Sequence, residues 1–191
     1  MQLPTVDPQS QLIVQRWAGI LLILCAAVFL PAGILYTGRA IWQWPVAQSA
    51  AYLIWERSLV IAAALLNVMG FVLLAGLLRN AGDVLIAPLA LTVYVIATAV
   101  LLSAEGAYLG SGQWAMSQVA VYVVLAFTVQ AAFGVSLLQT GLLPAWVGWT
   151  ALLWNLGCLA AFAVIRPDDI YYPVLHHVAP LLIGIALLLS L

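Results

Sequence analysis

RPDDIYYPVLHHVAP, residues 166 to 180, stands directly before the last apolar run of the chain. Whether that run, residues 173–191, crosses a bilayer decides the architecture. If it does, the crossings number six, and both chain ends lie on one side. The stretch also holds both histidines, His176 and His177, and the adjacent acids Asp168 and Asp169.

The surrounding composition demands a lipid-facing chain. Apolar residues make up 66% and charged residues 6% of the sequence. A soluble domain carries roughly 25% charged residues, so 191 residues this apolar cannot cover a water-facing surface. The cations are Arg16, Arg39, Arg57, Arg79 and Arg166, with no lysine. Net charge is near zero, which excludes the basic stripe a nucleic-acid partner requires. Cys25 and Cys158 sit inside apolar runs without Cys-x-x-Cys spacing, so they read as small core residues. The first 16 residues lack a basic region, and the apolar run after Arg16 is too long for a signal peptide. It reads as a retained first span.

Working back from the final run, the expected fold is all-α: a polytopic membrane protein, one transmembrane domain over residues 1–191. Its six spans are expected at about 17–36, 52–78, 84–103, 115–138, 146–165 and 173–191. Pro31 is expected to kink the first. No connector is long enough to separate two domains. Residues 105–114, EGAYLGSGQW, read as a glycine-rich connector. GLLRNAGDVL and SLLQTGLLPAW, at the ends of spans two and four, share a faint likeness that two related hairpins would produce.

Six crossings gather the titratable groups at one end. Arg39, Glu56, Arg57, Glu105, Arg166, Asp168, Asp169, His176 and His177 fall on that side, with Trp42, Trp44, Trp55 and Tyr108. The opposite side has Arg16, Arg79 and Asp83. The polar N-terminal stretch points to chain ends in the cytoplasm and to the plasma (inner) membrane.

Each polar group has a structural and a functional reading. Glu56 is an interfacial acid paired with a nearby arginine, or an acid facing a cavity. Asn67, eleven residues on, shares its helical face, with Ala63 and Gly70 close to that stripe. Tyr94, Thr98 and Glu105 share a face of span three, so Glu105 either ends that span or heads a polar strip. His176 and His177 cap span six, or act as acid and base. Adjacent helical positions point about 100° apart, so the pair does not form a metal or haem site, and neither metal nor cofactor is expected. Pro180 would leave the His176 carbonyl without its helical donor. Asp168 and Asp169 suit the N-terminal end of span six, or orient a histidine. Gln130 and Asn155, deeper in spans four and five, read with Asn67 as amides holding helices together.

No catalytic motif with diagnostic spacing is present. The turn Leu143, Pro144 and Trp146, continuing through Val147, Gly148 and Trp149, resembles the fifth-helix region of small bacterial six-helix membrane proteins of unknown function. That resemblance implies the six-span layout and no activity. Trp55-Glu56 early in span two, with Asp168 or Asp169 later, is similar to integral-membrane terpene cyclases, which have seven spans. It implies a carboxylic acid that protonates an isoprenoid.

The leading functional expectation is non-enzymatic: a membrane protein binding membrane lipid, a small amphiphile or a partner subunit at a polar vestibule. A membrane-embedded enzyme using Glu and His chemistry on a lipid or isoprenoid is the alternative, and a small transporter the third. The enzyme reading requires carboxylates and a histidine to converge within about 3–6 Å. The transporter reading requires helices broken at mid-depth.

Overall fold

A computed structural model describes residues 7–113, 115–165 and 175–191. Asp168, Asp169 and Arg166 therefore lie outside the described residues. The fold is an all-α bundle: α1 (Pro8–Ala40), α2 (Ala50–Asn80), α3 (Ile86–Ser111), α4 (Met116–Thr140), α5 (Ala145–Ile165) and α6 (Val178–Leu189). A short 3-10 turn, Pro45–Gln48, links α1 to α2. The first five helices are long and apolar enough to cross a membrane. Consecutive helices pack side by side, and α6 closes the ring against α1 and α5.

Local chemistry sets the ends. Asp7 caps α1, its carboxylate accepting from the Ser10 amide at 3.2 Å. Ser49 caps α2 through the Tyr52 amide. α1 runs helical through Pro31. Gly112, at φ 69°, ends α3 in the left-handed conformation that glycine adopts without strain. This corrects the expected connector at 105–114: Gly106 and Gly110 are absorbed inside α3, which runs about two turns further than its composition suggests. Glu105 and Tyr108 are consequently helical, and they face inward with Tyr94 and Thr98.

Of the sixth run, residues 175–191 are described, and within them α6 is 12 residues long, about 18 Å at 1.5 Å per residue. Its start lies at mid-depth. The Leu175 carbonyl accepts from Trp154 Nε1 at 2.8 Å, and His177 lies against Cys25, its Nδ1 3.7 Å from Sγ. Trp154 and Cys25 are each close to the midpoint of their own helix. From there α6 runs antiparallel to α1, and Gln15 Nε2 reaches the Leu187 carbonyl at 3.0 Å. The first residue of α1 and the last of α6 thus share one end of the bundle. Pro180 sits in the first turn of α6, where a missing N–H costs nothing.

Close helix crossings use glycine. A Cβ at Gly19 would approach the Gly184 carbonyl at 2.9 Å, and one at Gly134 the Leu152 amide nitrogen of α5 at 2.7 Å. Gly70 receives the Leu22 side chain, so the stripe of Ala63 and Gly70 serves helix packing. Phe71 stacks on Phe133 at 4.5 Å and meets Tyr94 edge-on at 5.1 Å, joining α2, α4 and α3.

At the end carrying the α2–α3 turn, Asp83 does the joining. Its carboxylate accepts from the amides of Leu85, Ile86 and Ala87 at 2.8–3.0 Å and from the Ser136 hydroxyl of α4. Burial works against its charged form, but the Ser136 hydroxyl and these amides outweigh that and hold its carboxyl below the ordinary value. A depressed folded value means the stabilisation is present at neutral pH and fades as pH falls below about 4. Asp83→Ala is expected to cost about 1–2 kcal/mol. In detergent unfolding at pH 7 and pH 3, the gap between wild type and Asp83→Asn is expected to shrink on acidification. An equal gap at both would contradict the assignment.

Candidate functional site

Four charged side chains from three helices meet at the end opposite Asp83. Arg39 is one residue before the end of α1, Glu56 and Arg57 lie in the second turn of α2, and Glu105 lies six residues before the end of α3. The chain reaches this arrangement through the α1–α2 connector. Gly38 has no Cβ, so the Trp44 ring and the Tyr52 hydroxyl close onto it. Tyr52 Oη then donates to the Leu35 carbonyl at 2.8 Å. That fold-back sets the start of α2 beside the end of α1 and brings Glu56 to Arg39.

The geometry is that of a charge-balanced network. Arg39 Nε and Nη2 donate to the two oxygens of Glu56 at 2.7 and 2.8 Å, the bidentate form that guanidinium and carboxylate favour. Arg57 also pairs with Glu56. On its other side, Arg57 Nη1 lies 3.4 Å from both oxygens of Glu105. The Tyr108 ring takes both guanidiniums, at 5.9 Å for Arg39 and 5.6 Å for Arg57, and Tyr36 lies 5.5 Å from Arg39. Glu56, Arg57 and Glu105 are buried, while the Arg39 side chain remains 21% exposed. Trp55, next to Glu56 in sequence, points outward. Two positive and two negative charges cancel, which is how a buried cluster avoids the cost of an uncompensated ion. Arg39 is the member composition could not nominate: its place beside Glu56 depends on the Gly38 fold-back.

A second polar group lies deeper. His176 Nε2 is 2.9 Å from Tyr94 Oη and 3.1 Å from Tyr122 Oη. The ring nitrogen carries one proton or one lone pair, so the two hydroxyls share it. Asn67 Nδ2 donates to Tyr94 Oη at 2.7 Å. His177 stacks at a tilt on Phe29, ring centroids 4.2 Å apart, and meets His176 edge-on at 4.7 Å. Both histidines are buried.

This corrects the expectation that the histidines share one vestibule with the carboxylates. Tyr94 and Glu105 are eleven residues apart on α3, about 16 Å along the axis. Phe29 and Arg39 are ten apart on α1, about 15 Å. The imidazoles thus sit about three turns below the ion pairs, at the level where α6 begins. The expected polar strip of α3 is real but divided. Tyr94 and Glu105 belong to different groups, and the Thr98 hydroxyl bonds its own helix at the Tyr94 carbonyl, 2.9 Å.

Among the deeper amides, Asn155 Nδ2 bonds its own helix at the Ala151 carbonyl, 2.6 Å. Gln130 is fully buried against the Tyr94 hydroxyl, close enough to act on it, but neither of its amide atoms meets a described residue in good hydrogen-bond geometry. Among those residues, no three His, Cys, Asp or Glu side chains are grouped as a metal would need. Compared with family models, curated proteins and solved structures, the chain shows no significant match to any, so a functional reading rests on its own geometry.

Proposed function

We propose that this protein is integral to the plasma (inner) membrane, with both chain ends in the cytoplasm. In this reading it binds the anionic headgroup of a lipid or small amphiphile at Arg39. The observation that carries the reading is Arg39 itself. Among the described residues, two of its five N–H donors hold Glu56, which leaves three for another partner. It is the network member most open to the surroundings. Buried Glu56 fixes the direction of the guanidinium, and Tyr36 and Tyr108 flank it. Trp42 and Trp44 lie in the connector immediately after it, with ring centroids 5.3 Å apart, and rings of this kind favour headgroup depth.

The geometry gives less support to an enzyme using Glu and His together. Both described carboxylates of this end are engaged by guanidiniums, and the imidazoles are about 15 Å away along the helices. One observation favours a transporter as the second reading: the helical run is interrupted at His176 and His177, at mid-depth, as at many transporter substrate sites. Helices α1 to α5 run unbroken, which keeps that reading second.

The test compares unfolding midpoints in micelles doped with phosphatidylglycerol or phosphatidylcholine. The anionic lipid is expected to stabilise the wild type more, and added salt to narrow the difference. Arg39→Gln leaves Glu56 with Arg57 and is expected to fold while losing the preference. A variant that keeps the full preference would end the headgroup reading.

A further inference from the structure

The polar group around Tyr94 holds buried amide atoms without a partner among the described residues. Asn67 is fully buried, and its Oδ1 has no partner among the described residues, although its Nδ2 holds Tyr94. Gln130 is fully buried with neither amide atom in good hydrogen-bond geometry to a described residue, and it too borders the Tyr94 hydroxyl. Two amides from different helices thus converge on one hydroxyl with spare hydrogen-bonding capacity. Water can repair such a deficit at a wet surface, whereas a buried amide left unbonded costs about 1–3 kcal/mol. The start of α6, at His177, lies at the same depth and adds the positive end of a helix dipole.

We propose that Asn67, Tyr94, Tyr122, Gln130 and His176 form a mid-membrane binding site for the hydroxyl head of an uncharged amphiphile. The chemistry selects the head. Asn67 Oδ1 requires a donor, and the Gln130 NH₂ group requires an acceptor. A hydroxyl supplies one proton and two lone pairs, so it can donate to Asn67 Oδ1 and accept from the Gln130 NH₂ group at once. A carbonyl or an ether only accepts and would leave Asn67 Oδ1 unpaired. A carboxylate would have to shed its hydration about 15 Å from Arg57, ten residues up α2 from Asn67. Water carries the same hydroxyl chemistry without a tail, and the experiment separates the two. This site does not depend on headgroup binding at Arg39.

The test uses the whole protein in detergent with 1-dodecanol, its methyl ether and dodecanoate as probes, read by unfolding midpoint. Dodecanol is expected to raise the midpoint saturably, by about 5 °C, and the ether and the carboxylate much less. Gln130→Met keeps the side-chain length and removes the amide. A ligand site predicts that this variant is as stable as wild type without probe, or more so, and that dodecanol no longer shifts it. An amide that only holds helices together predicts a lower midpoint without probe, which would overturn the proposal. Equal shifts for alcohol and ether, a dodecanol shift that survives in Gln130→Met, or no shift at all would each overturn it too. The last outcome would leave ordered water as the occupant. Arg39→Gln is expected to keep the dodecanol shift, so failure of the headgroup reading and failure of this one are distinguishable.

Discussion

Replacing Glu56 by glutamine is expected to destabilise the protein more than any other single charge removal. Glu56 is the anion between two guanidiniums, of which Arg57 is buried and Arg39 is 21% exposed. Without it, Arg57 retains Glu105 at 3.4 Å, and Arg39 loses its bidentate partner. Breaking a buried pair costs about 3–5 kcal/mol, because a buried charge is left uncompensated. The companion experiment is Glu56→Gln with Arg57→Gln. One charge of each sign then remains, Arg39 and Glu105, and the cluster is neutral again. The double variant is expected to be more stable than the sum of the two single losses by about 1 kcal/mol or more, on the order seen for coupled sites. Equilibrium unfolding in mixed micelles gives all three values. If the single losses simply add, or if Glu56→Gln costs under about 0.5 kcal/mol, as a solvated surface pair would, the network is not buried as described.

The second large effect is expected at a glycine. At Gly134 an added methyl would lie 2.7 Å from the Leu152 amide nitrogen, 2.8 Å from the Gly148 carbonyl and 3.1 Å from the Leu152 Cα. All three atoms are backbone of α5, so no side chain can swing aside. Helices α4 and α5 must separate along their shared crossing. Gly134→Ala is therefore expected to cost about 3 kcal/mol, at the upper end of ordinary overpacking. At Gly157, also in α5, an added methyl would meet no atom within 4 Å. There the same substitution is expected to gain about 0.5–1 kcal/mol, since alanine is the better helix former. One chemical change thus carries opposite signs at two positions, and thermal unfolding of the two variants measures both. If Gly134→Ala is as harmless as Gly157→Ala, the α4–α5 crossing is looser than described.

Much of the architecture was written in the order of the residues. An α-helix satisfies its backbone within its own segment, so runs of apolar residues at 17–36, 52–78, 115–138 and 146–165 become helices whatever their neighbours do. The shared face of Tyr94 and Glu105, the pairing of Glu56 with a nearby arginine and the union of Asn67 with the same stripe as Glu56 follow from periodicity and charge alone. Boundaries were less legible, as the two extra turns of α3 show: glycines that look like a connector can be carried by a helix packed on both sides.

Depth was the part only tertiary structure decided. Which arginine meets Glu56 depends on Gly38 admitting Trp44 and Tyr52, and no local pattern encodes that approach. Where the histidines lie depends on α6 starting beside Cys25 and Trp154, at the middle of the bundle. Counting crossings assigns each residue to an end of the bundle. It cannot place a helix that begins halfway, because the level at which such a helix starts is set by contacts with α1 and α5, more than a hundred and about twenty residues away in the chain.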